Sequence, residues 1–345
     1  MRLDALLAAL TRSYGRHQLA AVRIGTALAW GGYLLREWPN RRVLYGDRSP
    51  WSAELSHRLL ADSHAFTALA WSDGRLWFEA VYHLAIVAAA LLLVGWRTRA
   101  TSVLFAVTVL SLQNRNVLVG DGGDNVVHLL AIYLVLTRCG LVWSLDARRA
   151  RRRPAPEPEP EQEPGVEPRP EPEWRAVRDG LVSMLHNCGL LVIAAQVVLI
   201  YATAGWYKVQ GARWQDGTAV HYPLHLGYFS PWPALSGLVS ASLLLTFALS
   251  YGTVAAQVAF PFTLANRRLK NALLLLMLGE HAAIAVVLGL PFFSLAMAAA
   301  DAVFLPTAWL LGIGAALGRL PVRLPGRRPG REVGLRVPDP EPINS

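Results

Sequence analysis

Charge is scarce in this chain of 345 residues: only 17% are Asp, Glu, Lys or Arg, against about a quarter in ordinary soluble domains. With 53% hydrophobic residues, that shortage excludes a typical water-soluble fold. Cysteine is nearly missing. Cys139 and Cys188 are the only two, well separated and without CxxC spacing, which excludes a disulfide framework or a thiolate zinc site. Lysine is as rare, with Lys208 and Lys270 alone, whereas every other basic residue apart from histidine is arginine. No nucleophile elbow, phosphate loop or dinucleotide fingerprint occurs, so the chemistries that those motifs announce have no support.

What the chain does have is a series of apolar runs near the ~20 residues needed to cross hydrocarbon. They predict spans over 18–36, 77–95, 100–118, 125–144, 181–207, 245–265, 271–289 and 293–317, with a further short helix over 233–244. The expected fold is therefore all-α, a polytopic membrane bundle of about eight transmembrane helices. The start, MRLD, is followed by no small-residue cleavage site, so the first span is expected to act as the targeting signal.

The net charge of +9 does not point to nucleic acid, because its distribution follows the positive-inside pattern. Basic residues gather at Arg12 and Arg16, at Arg97 and Arg99, in the block from Arg148, at Arg267 to Lys270, and from Arg319 onward. An even number of spans then places both termini in the cytoplasm of a multi-pass plasma-membrane protein whose constant partner is the bilayer. Residues 1–147 form a four-span half and 175–320 a second. Residues 148–174 are a basic, then Pro/Glu-rich linker, PAPEPEPEQEPGVEPRPEPE at its centre, of the kind that stays extended and solvated. Residues 321–345 are expected to be a disordered cytoplasmic tail.

Three stretches fall on the outer side under this topology: 45–51, 113–125 and 208–222. In QNRNVLVGDGGDNVVH (Gln113 to His128), Asp121, Asp124 and His128 share one helical face, with Asn114, Arg115 and Asn116 approaching from the preceding helix and Asn125 beside them. Two readings stand: helix capping with Arg115 as counter-charge, or one wall of a ligand cavity. A metal would need a further ligand, so no metal is expected. In YATAGWYKVQGARWQDG (Tyr201 to Gly217), Lys208 closes an apolar run beside Trp206, Tyr207 and Trp214. It is read either as a snorkelling anchor or as a desolvated general base. Glu280 and His281 interrupt another apolar run, as does Gln257, and Glu79 and His83 lie one turn apart. Ionisable groups inside a span either serve function or satisfy one another across helices.

These residues carry a resemblance. The run NRN…GGDN followed by WSLD (Trp143 to Asp146), the stretch IYATAGWYKVQGARWQDGTA, and AFPFTL followed by GEHAAIAVVLGLPFFSLAM together resemble the HTTM family, membrane proteins related to vitamin K-dependent gamma-carboxylase. The resemblance covers most of residues 18–305. It implies an outward-facing cavity that admits reduced vitamin K or menaquinol from the bilayer, with Lys208 as catalytic base. Asn114, Arg115, Asn116, Asp121, Asp124, Asn125, His128, Trp214, Gly217 and His281 are expected around it, on the second, third, fourth, fifth and seventh helices. In the carboxylase that chemistry forms a carbon–carbon bond with CO2. A second branch of similar bacterial proteins takes part in maturing a secreted peptide, which implies an exported peptide or protein as partner. The chain departs from the carboxylase at Gln257, where an acidic residue is expected before AFP, and in Gly123 to Asn125, where the histidine of the Asn-rich stretch has no match. From another class comes the alternative of a non-enzymatic membrane partner or scaffold for a secreted factor.

The topology is checked with single cysteines in a background lacking Cys139 and Cys188. An impermeant thiol reagent should label cysteine at Thr218 in intact cells and should reach cysteine at Ala147 only after permeabilisation.

Overall fold

The computed structural model describes residues 11–152 and 173–319. The Pro/Glu-rich stretch over 153–172 and the tail expected over 321–345 lie outside them. Among the described residues every regular element is helical. The long helices are α1 (Arg16–Arg36), α2 (Arg75–Val94), α3 (Thr98–Gln113), α4 (Gly122–Leu136), α5 (Glu173–Gln210), α6 (Leu243–Thr263), α7 (Arg267–Val287), α8 (Pro291–Asp301) and α9 (Thr307–Arg319). The expected short helix appears as Pro233–Ser240, ahead of α6. Cys139 is buried and Cys188 exposed, both as free thiols.

Helix limits follow local chemistry. Asp121 caps α4, Ser242 caps α6 and Asn266 caps α7, each side chain accepting from first-turn amides that have no intrahelical partner. Gly95, at φ +70°, ends α2 in the left-handed conformation that glycine tolerates best. One expectation is corrected here. The last span is not continuous over 293–317: α8 stops at Asp301, a tight turn covers Ala302–Phe304, and Leu305 is extended ahead of Pro306. Proline disfavours helical backbone in the residue before it, and the hydropathy of the run conceals that break.

The chain is a multi-pass membrane protein. Four helical segments are long and apolar enough to cross a bilayer: α2, Val177–Gln210 within α5, α6 and α7. Apolar stretches at Gly122–Leu136, Pro291–Phe304 and Thr307–Ala316 are shorter. Of the eight spans expected, four thus have the full length and apolarity.

Small residues set the helix contacts. A Cβ on Gly25 would meet Ala299 Cβ at 2.5 Å, and one on Gly32 would meet Phe292 Cε1 at 2.7 Å, so α1 and α8 lie close along their length. Gly205 gives α5 the same proximity to α6, its Cβ position falling 2.9 Å from the Val258 amide nitrogen. Without water to drive association in lipid, such close packing supplies the attraction between helices.

One ionised side chain ties three segments together. Arg23 of α1 is 0% exposed. It donates to the carbonyls of Leu92 and of Leu93 (2.7 Å), at the end of α2, and to those of Cys139 (3.2 Å) and Trp143 (2.7 Å) beyond α4. Last-turn carbonyls lack intrahelical donors, and a planar five-donor guanidinium meets several at once. Nearby, Asp146 accepts from the amides of Arg97 (2.8 Å) and Thr98 (2.7 Å) at the start of α3. The WSLD stretch is thereby structural: its Trp143 carbonyl receives Arg23 and its Asp146 caps α3.

Arg23→Met should destabilise the protein by on the order of 3 kcal/mol, since it leaves buried carbonyls unpaired. Arg23→Lys should recover only part of the loss, because an ammonium cannot reproduce the fork. Thermal unfolding in lipid nanodiscs checks this; an unchanged melting temperature in Arg23→Met would contradict it.

Candidate functional site

The structure divides the expected site residues among three places. The first is the loop between α1 and α2. Asn114 donates to the Phe66 carbonyl at 2.8 Å, Arg115 to the Trp51 carbonyl at 3.1 Å, and Asn116 to the Leu44 carbonyl at 2.7 Å. Three consecutive side chains thus pin three points of one long loop. Arg115 is not the expected counter-charge to Asp121 or Asp124: a main-chain acceptor holds it, on the loop side of its helix end. In the same loop Arg42 donates to Asp47 at 2.9 and 2.5 Å and holds that carboxyl down at about 2. His83 and Glu79 also have structural partners: the Trp38 indole donates to His83 at 3.1 Å, and Arg41 bonds Glu79 at 2.8 Å.

The second place is a cavity of about 580 Å³, lined by Trp30, Tyr33 and Arg36 of α1, by Asp121, Gly123 and Asp124 at the start of α4, and by Pro291, Phe292 and Phe293 of α8, with Glu37, Tyr228 and the Leu118–Gly120 segment. The first, fourth and eighth helices build it, rather than the second, third, fourth, fifth and seventh as expected. The close seating of α8 explains the difference: a Cβ on Gly123 would fall 2.7 Å from Phe293 Cα. Asp121 and Asp124 form a capping box, Asp121 accepting from the Gly123 and Asp124 amides and Asp124 accepting from the Asp121 amide at 2.9 Å. They line the cavity at the same time, so capping and cavity wall coexist. Asn125 and His128 are not among the lining residues; His128 bonds Gln113 at 2.9 Å.

The third place lies among α5, α6, α7 and α8. Lys208 Nζ donates to Gln257 Oε1 at 2.9 Å, and Gln257 Nε2 donates to Glu280 Oε1 at 3.4 Å. Both partners sit within spans rather than at their ends. Lys208 therefore turns into the bundle, whereas its neighbours Trp206 and Tyr207, 62% and 74% exposed, face outward. Trp214 covers the ammonium, 5.2 Å from Nζ to the ring centroid, a cation–π contact. Gly217, at φ +76°, makes the turn that brings this segment onto α6, where a Cβ would strike Phe247 at 2.5 Å. The snorkelling geometry expected of an anchor is not adopted.

Next to Glu280, His281 contacts Tyr201 at 3.1 Å between Nε2 and Oη, and Tyr201 donates to Asp301 Oδ2 at 2.8 Å. All three are buried. His281 also meets the Phe293 ring edge-on at 5.7 Å between centroids. Since Phe293 lines the cavity, it separates that space from the buried polar residues. Tyr201, Asp301 and Arg23 were missed as candidates, yet a signal was available: Arg23 and Asp301 are ionisable residues inside apolar runs. Among the described residues no His/Cys/Asp/Glu group could hold a metal ion.

A second groove, about 450 Å³, runs along the outside of the α5–α6 seam, lined by Ala202, Thr203, Trp206, Tyr207, Val258, Pro261 and Phe262. Its lining does not include Lys208.

Compared with known proteins, the chain matches no family model and no solved structure. It is similar to the sporulation-delaying protein SdpB of Bacillus subtilis (strain 168), 26% identical over 149 residues. That match takes in 42% of this chain and 38% of the relative, so the chain spans less than two-fifths of the curated relative it matches.

Proposed function

We propose that this chain is a membrane factor acting on an exported peptide or protein, with Lys208 as its proton-accepting side chain. The observation that carries the reading is the inward turn of Lys208 onto Gln257, with Glu280 behind it. In a chain that, Lys270 apart, otherwise uses arginine for positive charge, an inward-turned, half-buried lysine supplies what a guanidinium cannot: loss of a proton near neutral pH. Similarity to a sporulation-delaying protein of Bacillus subtilis supports a bacterial factor, and the apolar spans a membrane one. The HTTM resemblance supplies the finer reading, quinol-linked modification or maturation, with reduced vitamin K or menaquinol as co-substrate.

The cavity fits such a quinol in size and lining. Trp30, Phe292 and Phe293 offer apolar faces for a flat bicyclic ring, and Tyr33 and Asp124 offer polar atoms for its hydroxyls; pockets of roughly 300–1,000 Å³ with this mixture are usual for small ligands. Bound there, the quinol would supply an ionisable hydroxyl and reducing equivalents. The chain's own residues do the rest. Asp121 and Asp124 hold the α4 end that forms one wall, and Arg36 lies over the Tyr33 and Phe292 rings at 5.5 and 4.9 Å. Phe293, on the cavity wall, packs against His281, the neighbour of Glu280 at the end of the Lys208–Gln257–Glu280 chain. Gln257 orients Lys208 by accepting from it, and Glu280 fixes the amide by accepting in turn.

A second reading, the non-enzymatic partner or scaffold, is favoured by one observation: Lys208 is not among the lining residues of the cavity. Reduced menaquinone-4 and oxygen, supplied to the protein in nanodiscs, distinguish the two. The enzymatic reading expects quinol consumption that falls by roughly 100-fold or more in both Lys208→Ala and Lys208→Arg. Full activity in Lys208→Arg would reduce Lys208 to a fixed charge and overturn the base. Absence of turnover and of menaquinone binding in folded wild-type protein would leave the scaffold.

A further inference from the structure

The buried row His281–Tyr201–Asp301 has two open ends. Of its polar side-chain atoms, His281 Nδ1 and Asp301 Oδ1 are buried without a hydrogen-bond partner, whereas the atoms between them are joined, Nε2 to Oη at 3.1 Å and Oη to Oδ2 at 2.8 Å. Asp301 is 0% exposed, and among the described residues no basic side chain bonds to it. An isolated carboxylate in such a place is far costlier than its neutral acid. The nearest described acidic group in the neighbouring chain of contacts is Glu280, next to His281, which adds repulsion rather than relief. A lone buried ion would be expected to bring a cation with it; here it is a phenol that approaches.

We propose that Asp301 is a buried proton-binding site, loaded and unloaded through Tyr201 and His281. The bookkeeping of bonds is complete within three side chains. With Asp301 ionised, His281 carries its proton on Nε2 and donates to Tyr201 Oη, and Tyr201 donates to Asp301 Oδ2. A proton arriving at His281 Nδ1 forms a bond there; Nε2 releases its own proton to the Tyr201 oxygen; Tyr201 releases its hydroxyl proton to Oδ2. The products are a neutral Asp301 acid, a neutral Tyr201 and a neutral His281 protonated on Nδ1. No electrons change hands and no charge stays on the ring. Reversal of the same steps delivers the proton back to Nδ1. The His281 ring meets Phe293 of the cavity wall at 5.7 Å between centroids, and Glu280 precedes it in the chain, so the row ends next to the two polar places already described.

The inference does not depend on Lys208 being a base, and its test uses no quinol. Infrared difference spectra of the full chain in lipid nanodiscs at neutral pH should contain the carbonyl stretch of a protonated carboxylic acid. Carboxyl-13C aspartate labelling of the wild-type protein should shift that band, which needs no substitution and so no assumption about folding. Asp301→Asn should remove it, and Glu280→Gln should leave it in place. In D2O the band should shift as the acid exchanges, and Tyr201→Phe, which keeps the ring but breaks the row, should slow that exchange by roughly 100-fold. A merely structural tyrosine would leave the exchange rate unaltered. The proposal is overturned if labelling shows no protonated aspartate, if the band survives Asp301→Asn, or if Tyr201→Phe exchanges at the wild-type rate.

Discussion

Burying polar groups in an apolar bundle is affordable only where each finds a partner, and this constraint organises the whole molecule. Arg23 is its clearest expression. A guanidinium that would be costly alone becomes the clasp between α1, the end of α2 and the segment after α4, because helix ends there leave carbonyls without donors. The same logic explains why Asp146 sits at the start of α3 and why Asn114, Arg115 and Asn116 are spent on loop carbonyls. Once those demands are met, the remaining unsatisfied atoms stand out. Two of them, His281 Nδ1 and Asp301 Oδ1, fall in the region between α5, α7 and α8, beside the Lys208–Gln257–Glu280 chain.

Two levels of organisation meet at Phe293. On its outer side is a cavity with aromatic walls and two carboxylates at the head of α4. On its inner side is His281, adjoining the Lys208–Gln257–Glu280 chain and the Tyr201–Asp301 pair. Packing decides this arrangement. Gly123 admits α8 so closely that Phe293 has to lie between the two spaces, and Gly25 and Gly32 admit α1 to the other flank. A bundle with larger residues at these glycines would hold its helices farther apart and would not divide the polar interior in this way.

Much of the helical order was legible in the sequence, since apolar runs bounded by Gly, Asn, Ser and Asp mark the helices directly. The Asp121 cap could be read from GDGGD as easily as a cavity wall, and the fold uses it as both. Less visible was the break before Pro306, because the hydropathy of 293–317 averages over one extended residue. Partner choice was hidden as well. Arg115 has carboxylates six and nine residues away in sequence, Asp121 and Asp124, but the path of the loop between α1 and α2 brings the Trp51 carbonyl to it instead. The direction of Lys208 could not be read at all: a lysine among tryptophans at the end of an apolar run is written identically whether it snorkels or turns inward. Only the approach of α6 at Gly205, which puts Gln257 within reach, decides it. Asp301 was passed over because one acid in an alanine-rich run makes no motif, although its isolation was itself the signal.

The account rests most heavily on Lys208 being held inside the bundle. With two lysines in the chain, nitrogen-15 labelling of lysine and carbon-13 labelling of the glutamine side-chain carbonyl give a direct measurement by solid-state NMR in lipid. One lysine resonance, identified by its loss in Lys208→Arg, should show the through-space dipolar coupling to a glutamine carbonyl carbon that the 2.9 Å Nζ–Oε1 hydrogen bond to Gln257 requires, and Gln257→Leu should abolish it. A Lys208 resonance without coupling to any glutamine, and in contact with water or lipid headgroups, would show an anchor at the membrane surface and contradict the account.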